Sequence, residues 1–372
     1  MKVGLYHPWL KGKGGAEKVI LETARNSENK ITVYTLYYDK DATFSEFEDV
    51  DIQVLGPNKE PGSFIDKGLR FGLGAITTKI PTKELDALIV SEAGLGSLIT
   101  LRNHDIPVLC YCHTPLRPAL PEFKQTYLKE QSALIKPIYN LGLKFYSLLE
   151  KTAWKHFHHV VANSDTTRKR IINKGLAEDV SVINPGADVE NNQHEDYGDY
   201  FFYPSRFRRY KRQDLAIEAF QEADLDDFKL VLAGSGQEPE FIEELEEMSD
   251  ENVEIETDVS GERWNELYSN AYSVLFLAEK EDWGIIPVEA ASFSKPIIAV
   301  NEGGPQESVK DGETGFLVDA APDSIAEKMK YLADRPEKVK EMGEKAKKHS
   351  QQYSWNNFSK KLDEKVKGLV TK

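Results

Sequence analysis

SVLFLAEKEDWGIIPVEAASFSKPIIAV, residues 273–300, is the stretch that decides the fold. It contains an apolar run at Val274–Ala278, a loop with one glycine, a helical stretch and a second apolar run at Ile297–Val300. Two short apolar runs separated by a helix indicate parallel strands of one sheet, because a parallel pairing needs a crossover connection. The same alternation continues toward both termini, so we predict an α/β protein built from βα units.

The predicted strands fall into two series. The first series is Lys2–Tyr6, Ile31–Leu36, Ile52–Leu55, Ala87–Ser91, Val108–Tyr111, Val160–Asn163 and Val180–Ile183, and the second is Phe201–Pro204, Lys229–Ala233, Val253–Glu256, Val274–Ala278 and Ile297–Val300. Between them, residues 186–199 (GADVENNQHEDYGD) have almost no apolar side chains, which is typical of a linker. Because 372 residues also exceed the usual size of one core, we predict two doubly wound, Rossmann-like domains.

The domain boundaries follow from this linker. We expect an N-terminal domain over residues 1–187, a linker over 188–199 and a C-terminal domain over 200–352. Apolar side chains recur at helical spacing in residues 353–372, so a C-terminal helix should pack back on the N-terminal domain. Doubly wound sheets bind ligands at the carboxyl ends of their strands, so two facing domains would hold a ligand in a central cleft.

Composition and charge exclude several classes of protein. The net charge is −15, and residues 1–190 hold 24 Lys+Arg against 23 Asp+Glu, so the excess acid lies in the C-terminal half. A pI of about 5.2 without an aromatic–basic pattern argues against nucleic acid as a partner. Cys110 and Cys112 are the only cysteines, which excludes a disulfide framework and fits a reducing cytoplasm.

Membrane spans and signal peptides are not expected either. No segment approaches the roughly 20 apolar residues that cross a bilayer. The amino terminus, MKVGLYHPWL, lacks the apolar run of a signal peptide. We predict a cytoplasmic protein, either soluble or associated with the cytoplasmic face of a membrane.

Residues 120–174 differ in character from the rest of the chain. They contain ten basic and four acidic residues, interleaved with large apolar side chains. Two interpretations stay open at this point. The stretch forms helices with ordinary solvated lysine faces, or it forms a surface that rests on anionic lipid headgroups.

Two carboxylates follow the apolar run SVLFLA. Glu281 lies at the strand end, and Glu289 lies eight residues later within the predicted helix. One carboxylate can accept hydrogen bonds from sugar hydroxyls and the other from ribose hydroxyls. The amides of Gly284, Ile285 and Ile286 at the start of the helix can meet phosphates, aided by the helix dipole.

A basic run, YPSRFRRYKRQDL, follows the first predicted strand of the second series. It places Arg206 just past the strand and Lys211 at the next helix. Two cations at a strand–helix junction can neutralise a diphosphate. We expect Arg206 to lie closer to the buried strand end, and Arg208, Arg209 and Arg212 to form a solvated basic loop.

Two features of the N-terminal half are also candidates. Gly14 and Gly15, in HPWLKGKGGAEK, precede a helix where backbone amides can approach a phosphate, although an ordinary tight turn would look the same. His113 ends an apolar strand, where it either faces the cleft or is simply hydrogen-bonded within the fold.

Metal binding is not predicted. Asp224 and Asp226 form a D-x-D pattern, but they lie in a polar stretch between a helix and a strand. His156, His158 and His159 have no acidic or cysteine partners at ligand spacing. Both groups are interpreted as ordinary surface polar residues.

Taken in order, these motifs resemble glycosyltransferase family 4, a group of retaining enzymes with the GT-B fold of two facing Rossmann-like domains. The matching landmarks are GGAE at 14–17, CHTP at 112–115, ANSD at 162–165, NPGAD at 184–188, SRFRRYK at 205–211, AGSG at 233–236, the E-x7-E pair Glu281 and Glu289, and EGGPQE at 302–307. Ser205 departs from the usual glycine, and GGPQE departs from Gly-Gly-x-Pro-Glu. HTPLR at 113–117 resembles mannosyltransferase-like members.

The resemblance implies a metal-independent, retaining hexosyltransferase without a cofactor other than its donor substrate. The donor would be a nucleotide-diphosphate sugar, with GDP-mannose favoured over a UDP-sugar, and the acceptor a sugar or lipid-linked glycan. In this interpretation the donor lies on the C-terminal domain and the acceptor on the N-terminal domain. The implied catalytic residues are His113, Arg206, Lys211 and Glu281, and the implied donor-binding residues are Gly14, Gly15, Gly234, Gly284, Ile285, Ile286 and Glu289.

Each residue has an expected role. Arg206 and Lys211 would stabilise the leaving diphosphate, Glu281 would orient the sugar and Glu289 would hold the ribose. His113 would complete the sugar pocket, and front-face attack through an oxocarbenium-like state is the favoured route.

Other activities remain possible on the sequence alone. A sugar-nucleotide epimerase with a GT-B-like fold, a phosphorylase or a non-catalytic sugar-nucleotide-binding protein would share much of this pattern. The presence of both E-x7-E carboxylates and both diphosphate cations argues against the non-catalytic alternative.

Overall fold

The computed structural model describes residues 1–56, 58–59, 68–129, 132–133, 135–190, 192–236 and 238–371. The chain divides into two compact units. The first comprises Met1–Asn184 and Trp355–Lys372, and the second comprises Pro185–Ser354. Each contains one parallel sheet with helices, so the prediction of two Rossmann-like α/β domains is confirmed.

The first unit is built on a seven-stranded sheet. Its strands are β1 Lys2–Tyr6, β2 Lys30–Thr35, β3 Ile52–Val54, β4 Ala87–Glu92, β5 Val108–Cys112, β6 His159–Ala162 and β7 Ser181–Val182, in the order β3-β2-β1-β4-β5-β6-β7. Every pairing in this sheet is parallel. The central strands β4 and β5 are buried along their whole length, as expected of strands covered by helices on both faces.

Six α-helices accompany this sheet in the described residues. They are α1 Gly15–Asn26, α2 Gly74–Thr77, α3 Pro121–Lys129, α4 Lys136–Trp154, α5 Asp165–Asn173 and, at the end of the chain, α13 Trp355–Val370. A π-helical segment spans Gly68–Leu73, and 3₁₀ turns span Ser45–Asp49, Thr82–Glu84, Gly96–Leu101 and Arg117–Ala119.

The C-terminal helix α13 packs within the first unit, as predicted. Its buried residue Phe358 meets the ring of Tyr111 edge-on, with ring centroids 5.4 Å apart. The carboxylate of Asp363 accepts hydrogen bonds from the Ser27 hydroxyl at 2.7 Å and the Glu28 amide at 2.8 Å, at the end of α1. An apolar contact and a polar contact therefore hold the helix in place.

The second unit has a six-stranded sheet. Its strands are β8 Tyr200–Pro204, β9 Lys229–Gly234, β10 Val253–Thr257, β11 Ser273–Phe276, β12 Ile297–Val300 and β13 Gly315–Val318, in the order β10-β9-β8-β11-β12-β13 with parallel pairings. Its helices are α6 Gln213–Ala223, α7 Pro239–Met248, α8 Gly261–Asn270, α9 Ile286–Ser292, α10 Pro305–Ser308, α11 Pro322–Ala333 and α12 Pro336–Ser350, with 3₁₀ turns at Arg209–Lys211 and Gln351–Tyr353. The edge strand β13 was not among the predicted strands.

Residues 188–199, predicted as a linker, belong to the second unit. Lys295 is fully buried, and its ammonium group lies 2.9 Å from Nδ1 of His194 and 4.4 Å from the ring centroid of Tyr197. The hydroxyl of Tyr197 donates to the carbonyl of Ser294 at 2.9 Å. This polar segment is therefore tied to the sheet domain that follows it, except for residue 191, which lies outside the described residues.

Both sheets have a point where the strand order reverses. In the first sheet it lies between β1 and β4, and in the second between β8 and β11. Connections leave these neighbouring strands toward opposite faces, which opens a crevice at their carboxyl ends where ligands of doubly wound folds bind. The predicted site residues can be located relative to these two points.

Candidate active site

The reversal point of the second sheet brings several predicted site residues together. Arg206 follows β8 by two residues, and Glu281 follows β11 by five. These strands are direct neighbours, with Ser273 paired to Phe201. Arg206 and Glu281, which lie 75 positions apart in the sequence, thus reach the same crevice.

Lys211 and Glu281 form a partly buried ion pair. Nζ of Lys211 lies 2.5 Å from Oε2 of Glu281, and the two side chains are 9% and 16% exposed. Nζ of Lys211 also lies 5.6 Å from the ring centroid of Phe276 in β11. The pairing holds both charged groups at the carboxyl edge of the sheet.

Arg206 differs from the other cations of its basic run. Its side chain is exposed, and no acidic side chain among the described residues pairs with it. Its backbone is held, because the Gln213 amide donates to the Arg206 carbonyl at 2.9 Å. Arg206 therefore presents an uncompensated positive charge at the reversal point.

The other three arginines of the run are each paired with a carboxylate. Arg209 makes a two-pronged ion pair with Glu244, with Nη2 to Oε1 at 2.5 Å. The pair partner of Arg208 is Glu238 at 3.6 Å, and that of Arg212 is Glu302 at 3.1 Å. The loop is therefore exposed at Arg208 and Arg209, as expected, but carboxylates compensate its charges. Arg206 is also more exposed than Arg212, contrary to the expectation that it lies nearer the buried strand end.

The loop from Glu281 to the start of α9 has free backbone donors. Among the described residues, no acceptor takes the amide N–H of Gly284, Ile285 or Ile286. Gly284 has a φ of +71°, and a Cβ there would lie 2.7 Å from the ring of Phe276, so only glycine fits. The loop therefore offers three amides where the sequence predicted phosphate contacts.

The EGGPQE segment supports the Glu281 loop through its backbone. The Gly304 amide donates to the carbonyl of Glu281 at 2.9 Å. A Cβ on Gly303, whose φ is +64°, would lie 2.2 Å from that same carbonyl oxygen, and one on Gly304 would lie 2.1 Å from the carbonyl oxygen of Trp283. The two glycines thus allow two loops to touch, which explains their presence without any ligand.

Glu289 and Gly234 have neighbours that the sequence did not reveal. The Tyr268 hydroxyl donates to Oε2 of Glu289 at 3.0 Å, and burial raises the pKa of Tyr268 well above its usual value. A Cβ on Gly234 would lie 1.9 Å from the carbonyl oxygen of Ser205. Gly234 thus lets the end of β9 approach the Ser205–Arg206 turn, which is a packing role that positions Arg206.

The predicted residues of the first unit lie at the start of α1 and at the end of β5. Gly14 is the N-cap of α1, without a side-chain cap, and Gly15 has open space where a side chain would be. The acidic Glu17 occupies the first turn, and a Cβ on Gly14 would lie 2.6 Å from its carboxylate. This geometry is compatible with an ordinary turn, so phosphate binding by Gly14 and Gly15 stays a prediction.

His113 belongs to a buried chain of three polar side chains. Its Nε2 lies 2.8 Å from the hydroxyl of Ser91, and that hydroxyl lies 2.9 Å from Nδ1 of His7. Burial lowers the pKa of His113 to about 4 and that of His7 to about 3. Both imidazoles are therefore neutral near pH 7, and the single hydroxyl hydrogen of Ser91 couples their tautomers.

His7 and Ser91 were missed by the sequence analysis, although a signal existed. His7 directly follows β1 and Ser91 lies near the end of β4, so both occupy the reversal point of the first sheet. A polar residue at the end of an apolar strand beside that point could have been included with His113.

Groups that suggested a metal are located elsewhere. Among the described residues, no cluster of three His, Cys, Asp or Glu side chains could hold a metal ion. Asp224 ends α6 as its C-cap with a φ of +49°. The ring of His156 stacks on that of His104, with centroids 4.0 Å apart.

In the same described part of the chain, no helix is long and apolar enough to cross a membrane.

Two protein-family models match the chain. Residues 13–191 match the model described as Glycosyltransferase Family 4, and residues 187–349 match the model described as Glycosyl transferases group 1. The two matches meet at the predicted domain junction and together cover nearly the whole chain.

Curated relatives are similar over most of their length. The alpha-1,3/1,6-mannosyltransferase ALG2 of Candida glabrata is 27% identical over 93% of this chain and 88% of its own length. ALG2 of Dictyostelium discoideum is 25% identical over 99% of this chain and 98% of its own. The similarity therefore includes both units.

Solved structures share the fold at low sequence identity. HepE of Anabaena, in complex with UDP and glucose, has a TM-score of 0.76 at 19% identity and covers 99% of this chain and 100% of its own. The sucrose-phosphate synthase of Thermosynechococcus elongatus has a TM-score of 0.80 at 16% identity, over 100% and 99% of the two chains. These neighbours confirm the predicted glycosyltransferase fold class.

Proposed function

The chain belongs to glycosyltransferase family 4, and on that premise we propose that it moves a mannosyl group from GDP-mannose to a lipid-linked glycan with retention of configuration. The mannosyl donor is supported by the ALG2 relatives, which are named as mannosyltransferases. The HTPLR stretch beginning at His113 supports the same sugar.

The observation that carries the proposal is the group of donors at the reversal point of the second sheet. The exposed, unpaired guanidinium of Arg206 and the free amides of Gly284–Ile286 are all suited to phosphate oxygens. The Lys211–Glu281 pair lies at the same sheet edge, and its lysine adds a second cation. In our proposal the diphosphate of the donor binds here.

The chemistry assigned to these residues is electrostatic. The bond between the anomeric carbon and the β-phosphate oxygen breaks, leaving an oxocarbenium-like sugar and a growing negative charge on the diphosphate. Arg206 and Lys211 stabilise that charge, which is the work a metal ion would otherwise do. The acceptor hydroxyl attacks from the face that the diphosphate leaves, and its proton passes to the departing phosphate oxygen.

The two carboxylates of E-x7-E keep separate roles in this proposal. Glu281, held by Lys211, accepts hydrogen bonds from the sugar hydroxyls. Glu289 binds the ribose, with Tyr268 fixing one of its carboxylate oxygens at 3.0 Å. His113, whose Nε2 lies 2.8 Å from the Ser91 hydroxyl, keeps its proposed role as a sugar-binding residue.

A lipid-linked acceptor implies work at a membrane surface. We therefore include peripheral contact with an anionic membrane, at the cytoplasmic face, in the proposed function. The basic and apolar composition of residues 120–174 supports this part of the proposal.

Transfer of label tests the function directly. The protein is incubated with radiolabelled GDP-mannose or UDP-glucose, with and without a lipid extract, and label is measured in the organic phase. We expect label from GDP-mannose only when lipid is present, and almost none with Arg206→Ala. Transfer from UDP-glucose alone would refute the mannosyl donor. Conversion of the donor without lipid would indicate an epimerase, and nucleotide binding without turnover a non-catalytic protein.

A further inference from the structure

Helix α4 exposes a row of large apolar side chains. Ile138, Leu141, Phe145 and Leu148 are 72%, 69%, 62% and 65% exposed. Their spacing of three, four and three residues puts them on one face of a 19-residue helix. We call these four residues the α4 stripe. A contiguous apolar row of this size on a surface usually marks an interaction site.

The opposite face of α4 is firmly built into the first unit. Tyr139, Leu143, Tyr146 and Trp154 are buried there. Glu150, the only acidic residue of the helix, is also buried, and it pairs with Lys174 at 2.6 Å. The exposure of the stripe is therefore not the result of a loosely packed helix, because the same helix is anchored by its other side.

Apart from the buried Glu150, the charged side chains of α4 and of the residue that follows it are all lysines. Four lysines lie on α4 or directly after it, and they are Lys136, Lys144, Lys151 and Lys155. No acidic side chain in the described part of the chain pairs with any of them. Elsewhere, surface lysines such as Lys338 and Lys345 do have a carboxylate partner, Glu341.

The apolar stripe and the lysines beside it together indicate one kind of binding partner, an anionic lipid surface. An apolar row bordered by unpaired lysines fits a surface with anionic headgroups above an apolar layer. A second copy of this chain fits poorly, because a symmetric contact would bring two sets of these lysines together. A helix whose other face is buried in protein can only lie along such a surface.

We propose that the α4 stripe inserts between the headgroups of an anionic bilayer while the neighbouring lysines bind the lipid phosphates. The inference deepens the proposed function and rests on it for the identity of the membrane-bound acceptor. It narrows the contact from residues 120–174 to one face of one helix. The acceptor would then be met at the membrane surface.

Binding to vesicles without acceptor tests the surface by itself. Cosedimentation is measured with phosphatidylcholine vesicles and with vesicles that contain about 30% phosphatidylglycerol. The apolar variant L141Q/F145Q/L148Q should bind the anionic vesicles at least about 100-fold more weakly, since each large side chain contributes about tenfold. The charge variant K144Q/K151Q/K155Q should lose about fivefold per lysine at low salt. Glutamine is chosen because it keeps the helix intact.

Two control variants test whether the effect depends on where the replaced side chains lie or only on how many lysines or apolar residues are removed. K229Q/K338Q/K345Q removes three lysines that are paired in the second unit, and L73Q/I172Q removes exposed apolar side chains outside α4. Both should bind vesicles like the unaltered protein. Affinity for GDP, measured by calorimetry, should be the same in all five proteins.

The outcomes distinguish this inference from the proposed function. Unchanged vesicle binding by L141Q/F145Q/L148Q, or equal binding to neutral and anionic vesicles, would refute the proposal that the α4 stripe binds an anionic bilayer. A dimer that dissociates in the stripe variant, seen by light scattering, would assign the stripe to a second copy and overturn it too. If vesicle binding depends on the stripe but no mannosyl transfer is detected, the lipid-binding proposal is supported and the proposed activity is rejected.

Discussion

Replacing Arg206 by alanine should reduce kcat and leave the folded protein intact. The side chain is exposed and has no acidic partner in the described structure, so its removal breaks no ion pair and opens no cavity. We expect the free energy of unfolding to change by less than about 0.5 kcal/mol. Charge on the diphosphate grows as the sugar leaves, so the guanidinium should stabilise the transition state more than the bound donor. The expected loss in kcat is about 10²- to 10³-fold, or about 3 to 4 kcal/mol.

Arg209 is the matched control for Arg206. It belongs to the same basic run, but its guanidinium is bound by Glu244 and lies 5.1 Å from the ring centroid of Phe241. Arg209→Ala should therefore keep kcat within about twofold, as is usual for surface positions remote from the reaction.

Replacing Lys211 provides a second comparison, because it should lower both the stability of the protein and kcat. Lys211→Ala removes the partner of the partly buried Glu281, so it should lower the free energy of unfolding by about 1 to 3 kcal/mol as well as kcat. The double variant with Arg206→Ala should lose less kcat than the sum of the two, because both cations act on one diphosphate.

The assay is steady-state kinetics of the four variants with labelled GDP-mannose, together with urea unfolding of each. A near-normal kcat in Arg206→Ala would refute the placement of the diphosphate. An equal loss in Arg209→Ala would show that the effect follows total charge rather than position. A large fall in stability of Arg206→Ala would contradict the contact pattern of the structure.

Three further changes have expected outcomes. Glu289→Ala should weaken GDP binding more than it lowers kcat, because a ribose contact changes little at the transition state, and a large kcat loss at unchanged donor KM would contradict this. EDTA should leave turnover nearly intact, since the proposed cations are side chains, and activity restored only by Mg²⁺ or Mn²⁺ would contradict it. The lowered pKa of His7, about 3, means that the unfolded chain takes up a proton near pH 6.5 while the folded chain does not. Stability should therefore fall by about 2 kcal/mol for this group from pH 7 to pH 5, and His7→Gln should show a correspondingly shallower decline in urea unfolding.

The strands of both sheets were visible in the sequence because parallel strands are buried on two faces. Such strands contain short runs of apolar residues, as in Ala87–Val90 of β4 and throughout β5, which can be recognised without knowing the neighbouring strands. The edge strand β13 escaped because it has four residues, begins with glycine and has only its first and last residues buried. The resemblance to a known family also depended only on sequence order.

The polar segment 188–199 shows the opposite case. Its composition indicated a linker, but two of its residues, His194 and Tyr197, contact the ammonium group of the buried Lys295. That contact joins residues about a hundred positions apart, so no local pattern could predict it.

For the candidate site, too, some features follow from the sequence and others only from the tertiary structure. The sequence by itself determined which residues lie at strand ends, because strand periodicity and glycine loops are local, and this placed Arg206 and Glu281 at the same sheet edge. Only the tertiary structure decided which charges are compensated: Glu244 binds Arg209, Glu302 binds Arg212, and Arg206 is left available. It likewise joined His7, Ser91 and His113 and left the α4 stripe exposed. The physical reason is that pairing and burial depend on which distant segments come within a few ångströms, and local periodicity carries no information on that distance.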